Sequence, residues 1–183
     1  MPIFAASTFA RLNRWESRLV ERHLPAGPPP KQLLAVNVAA NGSRLWFGIA
    51  ALLALRPSLR RTAAEGVVAA LVAAGITKVV NRLIGRPRPP AEHPARRALP
   101  RQPVTPAFPS SHTAVAAAFT TAVARRSPAL GAALAPLALT LAYGRVRLRV
   151  HWPTDVLGGA VLGTIAGRAA STPAGTSAGP APR

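Results

Sequence analysis

Between residues 87 and 109 the chain carries eight prolines, and on both sides of that stretch lie long apolar, alanine-rich runs. Proline removes a backbone donor and its ring clashes with the preceding turn, so no helix crosses this segment. The chain must fold as helices before it and helices after it, joined by a long loop. Loops of such length inside a compact domain are usually functional or disordered, and this one also carries Arg86, Arg88, Arg96, Arg97 and Arg101.

The apolar runs divide into five segments, residues 33–55, 62–84, 110–125, 128–143 and 154–170. A bilayer crossing takes about 20 mostly apolar residues, and several of these segments are short or interrupted by charge. Composition supports spanning: Gly158, Gly159, Ala160, Gly163 and Gly167 belong to a pattern of small residues that lets transmembrane backbones approach closely. A net charge of +18 combined with 49% apolar residues is too greasy for a soluble nucleic-acid binder. Aromatic residues make up 5% of the chain without the interleaved stacking pattern such binders use, so no nucleic-acid partner is expected. The same pairing suits polar ends lying against anionic headgroups, which attract each Lys or Arg by about 1 kcal/mol. We expect an all-α protein: an integral membrane helical bundle of about five transmembrane helices, multi-pass in the plasma (inner) membrane. A soluble alanine-rich bundle is the alternative.

Residues 8–24 place Arg11, Arg14, Arg18 and Arg22 on one helical stripe and Leu12, Trp15 and Leu19 on another, the pattern of an amphipathic helix at the membrane interface. The cluster from Pro25 to Pro30 ends it. No positive charge precedes an apolar run at the start of the chain, so no cleavable signal is expected. Arg44 and Glu65 fall inside or near the first two apolar segments, and an ion pair between them would offset the cost of charge in lipid. Residues 171–183, rich in Ser, Pro, Gly and Ala, are expected to be disordered. Cysteine is absent, which excludes disulfides and thiolate chemistry.

If the apolar segments alternate through the membrane, the chain start, the loop 85–110 and the link 144–153 share one face. That gathers His112, Arg145, His151 and Asp155, the only aspartate in the chain. Ser110 precedes a helical run, where its hydroxyl can cap free amides and a helix start attracts anions. Pro153 suits the first turn of the last helix, which sets Asp155 in that turn and His151 just before it. The spacing lets the carboxylate accept a hydrogen bond from one ring nitrogen of His151. The other nitrogen is then unprotonated, as a nucleophile or a base requires. Two histidines and an aspartate could also bind zinc, yet Arg86, Arg88, Arg145, Arg147 and Arg149 crowd the same face and draw an anion rather than a cation. A serine hydrolase using Ser110 or Ser111 lacks the Gly-x-Ser-x-Gly turn. The guanidinium fork fits phosphate oxygens, so neither metal nor cofactor is expected.

Three blocks then carry a family resemblance: Arg88-Pro89; Pro109-Ser110-Ser111-His112; and Gly144-Arg145 through His151 to Asp155. Their order and joint presence resemble the type 2 phosphatidic acid phosphatase superfamily. In that family a lysine precedes Arg-Pro; the matching position holds Asn81, with Lys78 one turn earlier and Arg82 one residue later, and either could supply the charge. Ser111 stands where the family has glycine, and Gly144 where it has serine. The resemblance implies a metal-independent lipid phosphate phosphatase in which His151, held by Asp155, attacks phosphorus to form a phosphohistidine. His112 would protonate the leaving oxygen and later activate water, while Arg88, Arg145, Ser110 and the Ser111 amide, with Lys78 or Arg82, hold the phosphate. The organisation implied is residues 1–30 as an interfacial segment, 31–170 as the catalytic membrane domain and 171–183 as a tail. The partner would be a lipid phosphate: phosphatidic acid, phosphatidylglycerol phosphate, a polyprenyl diphosphate or a phosphorylated polyprenyl-sugar. A vanadate-dependent haloperoxidase-like enzyme and a catalytically impaired basic membrane scaffold are the alternatives. Positive-inside counting favours the cytoplasm for the active face, although several of the counted charges belong to the site itself.

Overall fold

The computed structural model describes residues 6–171. The tail expected to be disordered lies outside the described residues except for Ser171, whose Oγ donates to the Gly167 carbonyl at 2.5 Å. Among the described residues there are eight α-helices and no strands: α1 Ala10–His23, α2 Lys31–Ala39, α3 Arg44–Ala54, α4 Arg60–Ile84, α5 Pro94–Arg97, α6 Ser111–Arg126, α7 Pro128–Arg147 and α8 Pro153–Ala169. The all-α expectation holds.

Helix α6 is the axis of the bundle, with α4, α7 and α8 packed around it, α3 against α4 and α2 against α7. Its inward residues are mostly small, and the α6–α8 contact shows why. A Cβ placed on Gly159 would lie 2.5 Å from the Ser110 carbonyl oxygen, one on Gly163 2.1 Å from that of Ala114, and one on Gly167 2.6 Å from that of Ala118. Both series advance by four residues in the same direction. The two helices therefore run parallel, backbone against backbone, and their first turns lie at the same end of the bundle. The Ser110 amide donates to the Asp155 carbonyl at 2.9 Å, which ties those two starts together.

This contact tolerates no side chain. Gly163→Val is expected to lower the unfolding midpoint in detergent, at a cost of about 3 kcal/mol from overpacking. Gly75 in α4 is the comparison: a Cβ there would meet nothing within 4 Å, so Gly75→Ala should stabilise the chain slightly through helix propensity. Equal effects at the two positions would refute the account.

The large apolar side chains point the other way. Leu157, Val161 and Ile165 form an exposed stripe on α8, as do Val68, Leu71, Val72, Ile76 and Val79 on α4. Two helices, Pro57–Ile84 and Pro128–Arg147, are long and apolar enough to cross a membrane, yet only 28% and 22% of their most apolar windows are buried within the protein. Core helices of soluble proteins turn such residues inward. The expectation of about five spans is not confirmed: by length and composition two of the described helices qualify.

The first apolar segment does not form one helix. It breaks at Asn41–Ser43, where Gly42 has φ 61° and Ser43 φ 63°, between α2 and α3. An Asn-Gly pair favours this left-handed turn, and the turn signal was outweighed by the apolar residues around it. Inside the proline-rich loop one helical turn, α5, does form: Pro94 opens it and His93 Nδ1 accepts from the Ala95 amide at 3.2 Å. The expected Arg44–Glu65 pair is absent. Glu65 instead meets Arg61 at 3.1 Å and Arg126 at 4.0 Å, while Arg44 is exposed at the start of α3. In α1, Glu16 and Val20 are buried, whereas the Arg11–Arg14–Arg18–Arg22 stripe and the pair Leu12 and Trp15 are exposed.

Candidate active site

The parallel starts of α6 and α8, the loop 85–110 and the end of α7 converge at one end of the bundle. Ser110 is the N-cap of α6; its Oγ accepts from the Thr113 hydroxyl at 3.1 Å and from the Thr113 amide at 3.5 Å. Ser111 opens the helix without a left-handed backbone angle, so the glycine of the resembling pattern is not needed here for conformation. At the start of α8, Asp155 Oδ2 accepts from the Trp152 amide at 2.8 Å, a capping contact at a position that favours negative charge.

His151 lies just before α8 and is buried. Its Nδ1 is 2.8 Å from the Ala107 carbonyl and its Nε2 is 3.0 Å from Arg88 Nη1. A carbonyl only accepts and a guanidinium only donates. The proton therefore sits on Nδ1, and Nε2 carries the lone pair. Burial first, then the charges of Arg88, Arg145 and His112, push the His151 pKa well below its ordinary value, with the Ala107 hydrogen bond opposing. The imidazole is neutral at physiological pH.

Asp155 does not make the hydrogen bond expected of it. Its Oδ2 is 3.6 Å from His151 Nδ1, and its Oδ1 accepts from Arg86 Nη1 at 2.7 Å. The orienting acceptor is the Ala107 carbonyl, set in place because the Ala107 amide donates to the Arg86 carbonyl at 2.8 Å. Arg86 is the residue that sequence reasoning left among the general cationic crowd. Almost fully buried, it also donates to Glu16, to Asn13 Oδ1 at 2.7 and 3.1 Å and to Thr154 Oγ1 at 2.6 Å, with its guanidinium over the Phe9 and Trp152 rings. The available signal was scarcity: in a chain with five acidic residues, a glutamate on the inward stripe of α1 needs a buried cation.

Arg88 spans the loop. Besides His151 it reaches the carbonyls of Val150 at 2.5 Å, Thr105 at 2.7 Å and Pro106 at 3.2 Å. Burial pulls its pKa down to about 10, Asp155 opposing and Arg96 adding, so it remains a cation at neutral pH. Arg145, in the last turn of α7, is 3% exposed and its Nε has no hydrogen-bond partner. A buried guanidinium with an open donor beside a second cation calls for an anion.

His112 Nε2 meets Asn41 Oδ1 at 3.1 Å, so the α2–α3 break supplies its partner. The Asn-Gly turn was the signal for it. Lys78 and Arg82 are not in the site. Both are exposed on α4, whose inward line runs through Ala73, Thr77 and Asn81; one residue along a helix is about 100° of rotation, which carries both cations off that line. Asn81 fills the inward position and donates to the carbonyls of Phe108 at 2.5 Å and Pro109 at 3.0 Å. Gly144 also has a local reason: a Cβ there would lie 2.0 Å from Asn37 Nδ2, so serine would push aside the buried Asn37 side chain.

An uncompensated anion site makes a thermal prediction. Inorganic phosphate or vanadate, against chloride at equal ionic strength, should raise the unfolding midpoint, since ligand at 100 times its Kd stabilises by about 2.7 kcal/mol. Arg145→Ala should remove most of the shift, and an unchanged shift would show that the anion binds elsewhere.

Comparison with known proteins gives two findings and one negative result. A model of the PAP2 superfamily matches residues 63–174, which contain all three motif blocks. The crystal structure of Aquifex aeolicus LpxE superposes with a TM-score of 0.56 at 21% identity, covering 84% of this chain and 90% of that one; at this identity the likeness concerns the fold. No curated protein matches the sequence.

Proposed function

The chain belongs to the PAP2 superfamily, and from that premise we propose that it is a metal-independent lipid phosphate phosphatase working through a phosphohistidine. The observation that carries the reading is the pairing of a neutral His151, its lone pair fixed on Nε2 by the Ala107 carbonyl, with the open guanidinium of Arg145. One group suits attack on phosphorus, the other suits the charge that gathers on its oxygens.

In this mechanism the phosphate enters between Arg88, Arg145 and the first turn of α6. Arg88 leaves His151 for the stronger acceptor, and Nε2 is freed. Its lone pair forms the bond to phosphorus while the bond to the leaving oxygen breaks, and His112, an imidazolium in the phosphate complex, gives that oxygen a proton and becomes neutral. The phosphorylated imidazole is cationic; the Ala107 carbonyl and the Asp155 carboxylate, 3.6 Å from Nδ1, stabilise it. Water then attacks phosphorus with His112 taking its proton, and the P–N electron pair returns to His151. Asp155 acts as a positioning residue through its own contacts rather than as the direct partner of the ring. Lys78 and Arg82, exposed on α4, take no part.

The outward apolar stripes of α4, α7 and α8 support a bundle embedded in a bilayer with this site at one surface and α1 lying beside it. At 16 and 17 residues α6 and α8 fall short of the about 20 that a full crossing takes, which suits partial crossings. A lipid phosphate would then reach His151 from the membrane plane. The test is release of phosphate from a panel of lipid phosphates by the purified full chain in detergent with EDTA present. Turnover that EDTA abolishes would refute the mechanism.

A further inference from the structure

At the end of the bundle away from His151, a groove of about 470 Å³ opens between α7 and α8. Its floor is the last two turns of α6, and both walls press close on that floor. A Cβ on Gly131 of α7 would lie 2.2 Å from the Ala124 Cβ, and one on Gly167 of α8 would lie 2.8 Å from the Thr121 Cβ. Between α7 and α8 themselves contact is sparse. The small residues that bring each helix onto α6 thus leave the space between the two open, lined by Ala124 and Ala132.

The polar residues of the groove come in pairs. Arg125 follows Thr121 by four residues on α6, Arg168 follows Thr164 by four on α8, and all four line the groove. Four residues are about one helical turn. Because α6 and α8 run parallel, both arginines stand at the outer end of the groove and both threonines one turn nearer the middle of the bundle. Neither arginine has an acidic partner among the described residues: Glu65 pairs with Arg61 and Arg126, and the other acids lie on α1, in the loop 85–110 and at the start of α8. Cations at helix ends suit the helix dipole, which explains their place along each helix but not their meeting in one groove above two hydroxyls. In the proposed bilayer placement α6 and α8 stop short of the opposite surface, so the arginines at their ends reach out to lipid phosphates. Free phosphate would leave the alanine floor bare, and a lipid without net charge would leave the cations unbalanced. We propose that this groove binds an anionic phospholipid, with its phosphodiester between Arg125 and Arg168, its glycerol and ester oxygens at the level of Thr121 and Thr164, and an acyl chain along the alanines. The site is separate from the reaction centre by about 20 Å, the rise of α6 from His112 to Arg125. Its lipid would bridge α7 and α8 where they do not touch. The inference rests on the bilayer placement and not on the chemistry at His151.

The experiment follows the unfolding midpoint of the full chain in neutral detergent micelles as phosphatidylglycerol, phosphatidylcholine or inorganic phosphate is added. Phosphatidylglycerol should raise the midpoint and phosphatidylcholine should not. In the double variant Arg125→Gln, Arg168→Gln, the lipid mole fraction that gives half of the rise should increase about 25-fold, roughly fivefold for each guanidinium lost. Arg145→Ala, at the other end of the bundle, should leave the response to phosphatidylglycerol unchanged. Native mass spectrometry of the same samples should find one phosphatidylglycerol on the parent and none on the double variant, a reading of binding that does not depend on the variant's own stability. An equal rise with phosphatidylcholine, a response to phosphatidylglycerol that the double variant retains in full, or a rise with inorganic phosphate that Arg125 and Arg168 control overturns the proposal. A chain that stays in solution without detergent overturns the bilayer placement, and the proposal with it.

Discussion

His151→Ala should abolish turnover, lowering phosphate release by about 10⁴-fold or more, the scale seen when a covalent nucleophile is removed from a working site. No neighbour can substitute. His112 is the proposed proton donor and meets Asn41 at Nε2, and the Asp155 carboxylate is held by Arg86 and the Trp152 amide. The Ser110 hydroxyl caps α6, and the guanidiniums of Arg88 and Arg145 carry no lone pair to give. Binding should persist, because Arg88 and Arg145 are untouched, so phosphate should still raise the unfolding midpoint of the variant. Parent protein quenched during turnover of ³²P-labelled lipid phosphate should carry label that is acid-labile and alkali-stable, as a phosphoramidate is, and the variant should carry none. Label retained in the variant, or turnover close to the parent, would remove His151 from the mechanism.

Arg86→Met should cost about 3–5 kcal/mol of stability, the penalty for taking one partner out of a buried charge cluster. The guanidinium contacts Glu16, Asp155, Asn13 and Thr154, and both carboxylates are fully buried. With the cation gone, two buried carboxylates face each other without a counter-charge. The expected signs are a lower unfolding midpoint and faster proteolysis in the segment Pro25–Pro30, as α1 loses its attachment. Adding Glu16→Gln to Arg86→Met should recover part of the loss, since one stranded charge is removed. Additive losses in the double variant would show that Arg86 and Glu16 act independently.

The apolar segments after residue 60 and the three motif blocks were legible because each is a local pattern: a run of small residues, a proline at a helix start, a histidine four residues before an aspartate. What escaped involved partners distant in sequence or carried by the backbone. Nothing in the side chains announces that the Ala107 carbonyl, and not Asp155, holds His151. The Arg86–Glu16 pair joins residues 70 apart. Lys78 and Arg82 carry charge at the outward helical phase, while Ala73, Thr77 and Asn81 mark the inward line. The α2–α3 break could have been taken from Asn41-Gly42 alone, and with it the partner of His112.

The glycine contact between α6 and α8 acts as a vernier for the chemistry. Each notch is four residues, about 6 Å of helix, so a slip of one notch would part His112 from His151 by more than the width of a phosphate group. Assembly of the two helices and formation of the reaction centre are then a single event. A lipid or an inhibitor that wedges α8 away from α6 should stop the proposed turnover while leaving the side chains of the site intact.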